Sequence, residues 1–350
     1  MKKSQPSANA PANAPAKVAS IGDVAKRAGV SIATVSRIVN GKTGKASPAT
    51  IARVKATIAA VGYRPTGAGQ ALRKGQSRLV AVLAANLANP TMAAIAASIE
   101  TALRDVGLAM VLCDTLDRPD LQDEYLAEMR AQAVRATILL GAVRSAKLAD
   151  TLAGAFASEA PLLFVGRRCP IDAAAPFVGI DNFAAGAAVA HALHQALPRG
   201  RFALIHGSLE SSATADRIAA FRQEAARLGR RLAAADILTE AGRDHLAIGY
   251  EAARRLLGAG PPPAAIFCAS DLIAYGAHRR LREAKIVVPR DVMLVGFDDN
   301  PLNDWIAPFL SSVRVPYAAF GPAIVEMLGQ LWRGETVAAR LLDFELVQRG

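Results

Sequence analysis

On a helical wheel, residues 31–40 (SIATVSRIVN) divide in two: Ala33, Ser36, Arg37 and Asn40 share one side, and Val35, Ile38 and Val39 form an apolar arc with Ile32 at its edge. A small, polar and cationic face of this kind fits the major groove of DNA. Arg37 carries the most chemistry there. Its guanidinium can donate in bidentate fashion to O6 and N7 of one guanine, a contact that discriminates between bases by ~1–3 kcal/mol.

Holding that face outward requires helices on its apolar side, and the flanking residues predict two. Ser20 can cap a helix with Asp23 at its third position, and Ile21, Val24, Ala25 and Ala28 would share the inner face. Gly29-Val30 makes the turn, and Ser31 caps a second helix to about Val39. Ser47-Pro48 begins a third, along which Ile51, Val54, Ile58 and Val61 recur at helical spacing until Gly62. The result is a three-helix, helix-turn-helix domain of all-α class.

Charge singles out the same segment. Residues 1–75 hold 13 Lys and Arg against one acid, Asp23, giving +12, whereas residues 76–350 hold 28 against 29, giving −1. A compact basic module on a near-neutral body implies a polyanion partner for one part of the chain only. The basic stretch lacks the large aromatic or leucine face of an interfacial helix, which argues against a membrane surface as that partner.

At 350 residues the chain has room for two or three domains. Its hydrophobic residues, 52% of the total, never form the run of roughly 18 that a membrane span requires, so no membrane partner is expected. The opening MKKSQPSANAPANAPA lacks the apolar stretch of a secretion signal, and its composition predicts a disordered tail over residues 1–16. Cys113, Cys169 and Cys268 show neither CxxC nor zinc spacing and read as free thiols in a reducing cytoplasm. Catalytic and cofactor motifs fail in turn. Gly41-Lys42-Thr43 lacks the glycine a phosphate-binding loop needs at position 36, Gly67-Ala68-Gly69 meets Leu72 where a dinucleotide fingerprint needs glycine, and His191 and His194 have no third metal ligand. Neither an enzyme nor a bound cofactor or metal is expected.

Beyond Gln76 the texture changes. Apolar runs at 79–85, 109–113, 136–140 and 161–165 alternate with helical stretches, and the rhythm resumes at 202–206, 264–269 and 292–297, with a further strand-like run at 342–347. Continuous apolar strands separated by helices predict parallel sheets covered on both faces, and two successive sets predict two doubly wound α/β lobes. Ligands of such sheets bind beyond the carboxyl ends of the strands, here in the cleft between lobes.

SIGDVAKRAGVSIATVSRIVNGK, SPATIARVKATIAAVGYRP and the following QALRKG together resemble the headpiece and hinge of the lactose-repressor and galactose-repressor (LacI/GalR) family of bacterial transcription regulators. The resemblance covers nearly the whole chain after residue 17, and the core it implies is like a periplasmic sugar-binding protein. It implies four segments: tail 1–16, DNA-binding domain 17–64, hinge 65–75, and effector-binding and dimerisation core 76–350. By matching position, Ile32, Ala33 and Arg37 would touch base edges, and Ser31, Thr34, Ser36, Asn40 and Tyr63 would mostly position phosphates. Leu72 would occupy the place of the leucine that wedges into the minor groove. Gly67 and Gly69 weaken the hinge helix by roughly 1 kcal/mol each relative to alanine.

In the core, Arg217 of SSATADR and Asp298 of VGFDD match the family's effector-binding arginine and aspartate. Ser270-Asp271 and Asp181-Asn182 close other strands at the same cleft, with Ser270 and Asp181 the candidate contacts, and Thr91 and Met92 stand where the family commonly has aromatics. Adjacent Asp298 and Asp299 could instead suggest a divalent cation, but spacing supplies no further carboxylate. Arg167 and Arg168 follow Phe164-Val165-Gly166; if either joins Arg217, the pocket becomes cationic and suits a sugar acid or another anion. The implied protein is a homodimeric, cytoplasmic, ligand-responsive regulator, a repressor by preference, that reads a pseudo-palindromic operator in double-stranded DNA and binds a sugar or sugar acid. A solute-binding protein of sugar transport would share the core but has no use for a +12 headpiece.

Overall fold

The computed structural model describes residues 19–63, 77–156, 160–172, 174–242 and 244–349. The tail and hinge expected at 1–16 and 65–75, with Gly67, Gly69 and Leu72, lie outside the described residues. The chain forms two compact units, Met1–Ser77 and Arg78–Gly350.

The first unit holds α1 (Ile21–Ala28), α2 (Ile32–Val39) and α3 (Pro48–Val61). Each begins at a serine whose hydroxyl accepts a backbone N–H two or three positions into the helix, the donors being Asp23, Thr34 and Thr50. At α1 the cap is reciprocal, since the Ser20 N–H donates to Asp23 Oδ2 at 2.8 Å. Gly29 ends α1 with φ +64°, a left-handed conformation that glycine adopts without strain. Val24, Val35 and Val54, one from each helix, are fully buried together, with Ala25, Ala28 and Ile38 around them. Arg53 of α3 donates Nε–H to the Ala28 carbonyl at 2.9 Å, tying α3 to the open end of α1.

The second unit contains two six-stranded sheets. The first draws on β1 (Leu79–Ala84), β2 (Ala109–Asp114), β3 (Ala136–Leu140), β4 (Leu162–Val165), β5 (Phe177–Ile180) and β11 (Arg340–Leu342). The second draws on β6 (Phe202–Ile205), β7 (Ile237–Leu238), β8 (Ala265–Cys268), β9 (Met293–Asp298), β10 (Ser311–Arg314) and β12 (Glu345–Val347). Strand orders are β11-β5-β4-β3-β1-β2 and β12-β10-β9-β8-β6-β7, and every pairing is parallel except β10 with β12. Between strands run α4 (Pro90–Asp105), α5 (Pro119–Ala131), α6 (Leu148–Phe156), α7 (Asn182–Ala196), α8 (Ser212–Arg227), α9 (His245–Gly258), α10 (Asp271–Glu283), the single turn α11 (Asn303–Ile306) and α12 (Tyr317–Trp332).

The chain passes between the lobes three times. After β5 it enters the second lobe, where α7 packs on α8; after β10 it returns, and α12 packs on α4; the third passage separates β11 from β12. The single strand expected at 342–347 is thus two short strands in different sheets, divided at Asp343-Phe344. Helix pairs are closely apposed. A methyl group on Gly249 of α9 would strike the Ile273 carbonyl of α10, and one on Gly276 of α10 would strike the Leu246 carbonyl of α9, so both positions require glycine.

Candidate functional sites

On α2 the structure exposes Ser31, Ile32, Ala33, Arg37 and Asn40, half-buries Thr34 and Ser36, and buries Val35 and Ile38 against the other helices. Arg37 Nε–H donates to the Ala33 carbonyl at 3.2 Å, and Asn40 Nδ2 donates to the Ser36 carbonyl at 2.7 Å, so both side chains lie along the outer face. Ser31 Oγ and Thr34 Oγ1 are 2.9 Å apart at the helix start. Ile32 is 54% exposed, a large aliphatic side chain with no core to join, and it suits contact with a thymine methyl. Tyr63, just past α3, is half-buried against the helical core. The one acid of this unit within the described residues, Asp23, is engaged by the Ser20 cap, while Lys26, Arg27, Lys42, Lys45 and Lys55 are exposed. The surface around α2 is therefore cationic, as a polyanion partner requires.

In the second unit a cavity of about 90 Å³ lies between the lobes at the carboxyl ends of the strands. That is several times the roughly 10–15 Å³ needed to admit one water, so the space is open to solvent or a small ligand. Thr91, Met92, Arg167, Arg217, Ser270 and Asp298 all line it. Asp181 does not. Its Oδ1 accepts the Ala184 N–H at 2.8 Å as the cap of α7, and its side chain is exposed, so the neighbouring Asn182 enters the cavity instead. Met92, Ile95, Leu140, Val315 and Phe320 supply an apolar wall.

Arg217 is held on every side. Its Nε donates to Asn182 Oδ1 at 2.7 Å, Nη1 donates to the Ala269 carbonyl at 2.9 Å, and the guanidinium carbon lies 3.4 Å above the Phe297 ring centroid. Nη1 stands 3.8 Å from Asp298 Oδ1. Burial lowers the Arg217 pKa to about 10 in spite of that neighbour. Burial likewise pushes the Asp298 carboxyl up to about 6, with Arg217 and a hydrogen bond from Thr91 opposing the shift. At neutral pH the cavity thus presents an ionised donor fork beside an ionised acceptor, a match for vicinal hydroxyls. Asp298 has φ +112° and Asp299 φ +47°, so the chain turns sharply here and sends Asp299 away from the cavity. Asp299 accepts from Arg314 and Arg349, which hold its carboxyl below the usual range. Among the described residues no cluster of three or more His, Cys, Asp or Glu could hold a metal ion.

Arg168 does not line the cavity; it joins the two lobes. Its Nη1 and Nη2 donate to Asp216 Oδ2 and Oδ1 on α8 at 2.5 and 3.0 Å, and its backbone N–H donates to Ser212 Oγ at 2.9 Å.

A model of bacterial regulatory proteins of the lacI family matches residues 20–66, and a periplasmic binding protein-like domain matches residues 189–350. The HTH-type transcriptional regulator DegA of Bacillus subtilis is 30% identical over 330 residues, spanning 93% of this chain and 96% of that protein. The chain belongs to the LacI family. Among solved structures, a Lac repressor dimer bound to operator and the anti-inducer ONPF superposes with a TM-score of 0.78 at 26% identity, covering 95% of this chain and 98% of that one. The transcriptional regulator CelR in complex with cellobiose gives 0.70 at 28% identity, with 95% and 99% covered. As a LacI-family protein the chain is a DNA-binding transcription regulator with an effector-binding core, and no helix among the described residues is long and apolar enough to cross a membrane.

Two polar or aromatic cavity residues of this LacI-family core, His245 and Phe320, escape sequence reasoning. His245 caps no motif but stands at the start of α9, with Nδ1 2.9 Å from Ser270 Oγ; burial lowers its pKa, so it is neutral at pH 7. Phe320 reaches the cavity from α12, in the lobe opposite to β10, which precedes it in the chain. Of the pair Asp181-Asn182 that closes its strand, Asn182 and not Asp181 lines the cavity. The signal that separates the two is helix capping, since the first residue of an Asp-Asn pair at a strand end caps the helix and the second turns inward.

Proposed function

We propose that this LacI-family regulator is a homodimeric repressor that acts in the cytoplasm, binds a pseudo-palindromic operator through α2 of each headpiece, and is controlled by a small polyhydroxylated effector of the sugar or sugar-acid class. Arg37, Ile32 and Ala33 read base edges; Ser31, Thr34, Ser36, Asn40 and Tyr63 position phosphates, and residues 65–75 are the hinge through which Leu72 reaches the minor groove. Two copies are needed because one three-helix module buries too little surface for strong specificity.

What carries the effector reading is the enclosed Arg217–Asp298 pair, an ionised donor and acceptor side by side with Thr91 and Ser270 nearby and an apolar wall of Met92 and Phe320. Hydroxyls of a polyol satisfy both ions, and its C–H face covers the apolar wall. CelR, a relative in fold, was solved with cellobiose, a polyol of this chemistry. Because ligands touch both lobes, an effector that favours one lobe arrangement shifts the population toward it, and operator affinity follows by linkage.

The test is a thermal-shift screen of sugars and sugar acids on the full chain, followed by operator binding with and without each hit. A ligand at 100 times its dissociation constant adds roughly 2.7 kcal/mol to the core. A hit that changes operator affinity, and that loses its effect in Arg217→Met, supports the reading. A hit that still acts in Arg217→Met removes the cavity from the mechanism.

A further inference from the structure

We propose that Asp117 sets the charge class of the effector: by neutralising Arg167 it makes the cavity accept an uncharged polyol and discriminate against the sugar acid of the same skeleton. This rests on the cavity being the effector site and concerns which ligands that site admits.

Arg167 lines the cavity, and its guanidinium is already occupied on one edge. Nη1 donates to Asp117 Oδ1 at 2.5 Å and to the Gly141 carbonyl at 3.3 Å, and Nη2 lies 3.5 Å from Asp117 Oδ2. Both side chains are largely shielded, with 18% and 23% of their surface exposed. Asp117 is itself placed firmly. Its N–H donates to the Ala85 carbonyl at 2.6 Å, and the preceding Thr115 donates both N–H and Oγ1 to the Ala84 carbonyl. Leu116 and Asp117 both adopt φ +53°, a left-handed pair of non-glycine residues outside any helix. Such a conformation persists only where the surroundings fix it, and here it aims a carboxylate at the arginine from behind the cavity wall.

The charges then cancel. Arg217 faces Asp298, Arg167 faces Asp117, and His245, packed near Asp117, Arg167, Arg217, Asp244 and Ser270, is neutral. Arg168 lies outside the cavity lining and is paired with Asp216. A carboxylate entering this balanced, poorly solvated space brings an uncompensated charge, whereas a hydroxyl does not. Arg167 still offers its remaining N–H groups to hydroxyl oxygens.

Asp117→Asn tests this cleanly, because asparagine tolerates left-handed backbone and can still accept from Arg167 while losing the charge. Calorimetric titration of the full chain with matched pairs (D-glucose and D-gluconate, D-galactose and D-galactonate, D-xylose and D-xylonate) reads the ratio of affinities for aldose and aldonate. The wild type should favour an aldose over its aldonate by about tenfold or more, and Asp117→Asn should move that ratio toward the acid by about 10- to 100-fold, the scale of one unit charge at short range in a partly buried site. Adding Arg167→Met should take the gain away. A wild-type preference for the aldonate, or a ratio unchanged in Asp117→Asn, overturns the assignment while leaving the effector site intact. If no compound of either class binds, the reading of the cavity as a polyol site falls, and the assignment with it.

Discussion

Replacing Asp298 by asparagine should weaken effector recognition without destabilising the core, and at neutral pH it should stabilise it. The Asp298 carboxyl is raised from 3.8 to about 6 although Arg217 stands beside it. Desolvation therefore exceeds the attraction of the ion pair. The difference is about two pKa units, or on the order of 3 kcal/mol against the charged form. Asparagine keeps the shape and the Thr91 contact but carries no charge to desolvate. Some of the gain is lost because its amide lacks a partner beside Arg217, which leaves an expected stabilisation of about 1–2 kcal/mol at pH 7.5.

The pH dependence has a definite sign. A carboxyl whose folded pKa is raised binds its proton more tightly in the native state, so its contribution to stability falls as pH rises from about 3.8 to about 6. The advantage of Asp298→Asn is thus fully present above pH 6 and shrinks toward zero near pH 4. Calorimetric melts of wild type and variant at several pH values measure it, and subtracting the two curves removes the effect of groups remote from Asp298; Asp271, whose carboxyl burial and the Asp298 charge raise to about 7, loses the second contribution in the variant and so adds to its advantage. Effector affinity should fall about 10- to 100-fold, because a charged acceptor in a buried site is lost. A variant destabilised by 2 kcal/mol or more at pH 7.5 would refute the reasoning, since it would mean that the Arg217–Asp298 pair stabilises the fold; unchanged effector affinity would refute the site.

Arg37→Ala should relax base preference at one operator position by ~1–3 kcal/mol, and uniformly weaker binding with unchanged preference, read by competition with operator variants, would assign Arg37 to phosphate instead. Gly276→Ala should cost about 3 kcal/mol or more, because its new methyl meets the Leu246 carbonyl and α9 and α10 must separate; a melting temperature within a degree of wild type would contradict that packing. Arg168→Ala should change core stability by less than about 1 kcal/mol, since the arginine is half exposed. It should nonetheless alter effector affinity severalfold, as its contacts with Asp216 and Ser212 join the two lobes; titration of effector showing no change would place the pair outside the lobe equilibrium.

What could be read from sequence follows the range of the forces involved. The headpiece was legible because its signals are local: serine caps, Gly29 and Gly62, and valines at helical spacing all act within one or two turns. The long strands were legible as apolar runs buried on both faces. β7 and β10 were not, because Ile237-Leu238 is too short for a pattern and Ser311–Arg314 is polar, with Ser312 buried only because Asp271 accepts its hydroxyl at 2.6 Å. Ser270 was legible by its position at a strand end, and Arg217 and Asp298 through the family motifs they resemble. His245 and Phe320 were not, since each reaches the cavity only through the way α9 and α12 lie across the lobes.

Arg167 shows the limit most directly. Two consecutive arginines after a strand suggested a cationic pocket, and one of them does line the cavity. Its charge, however, is answered by Asp117, 50 residues earlier, presented by a loop whose two left-handed residues no motif announces. The second arginine is answered by Asp216, 48 residues later. Residue types reveal which charges a site can draw on, but whether it keeps a net charge depends on pairs formed across the fold, and that sum decides what can enter.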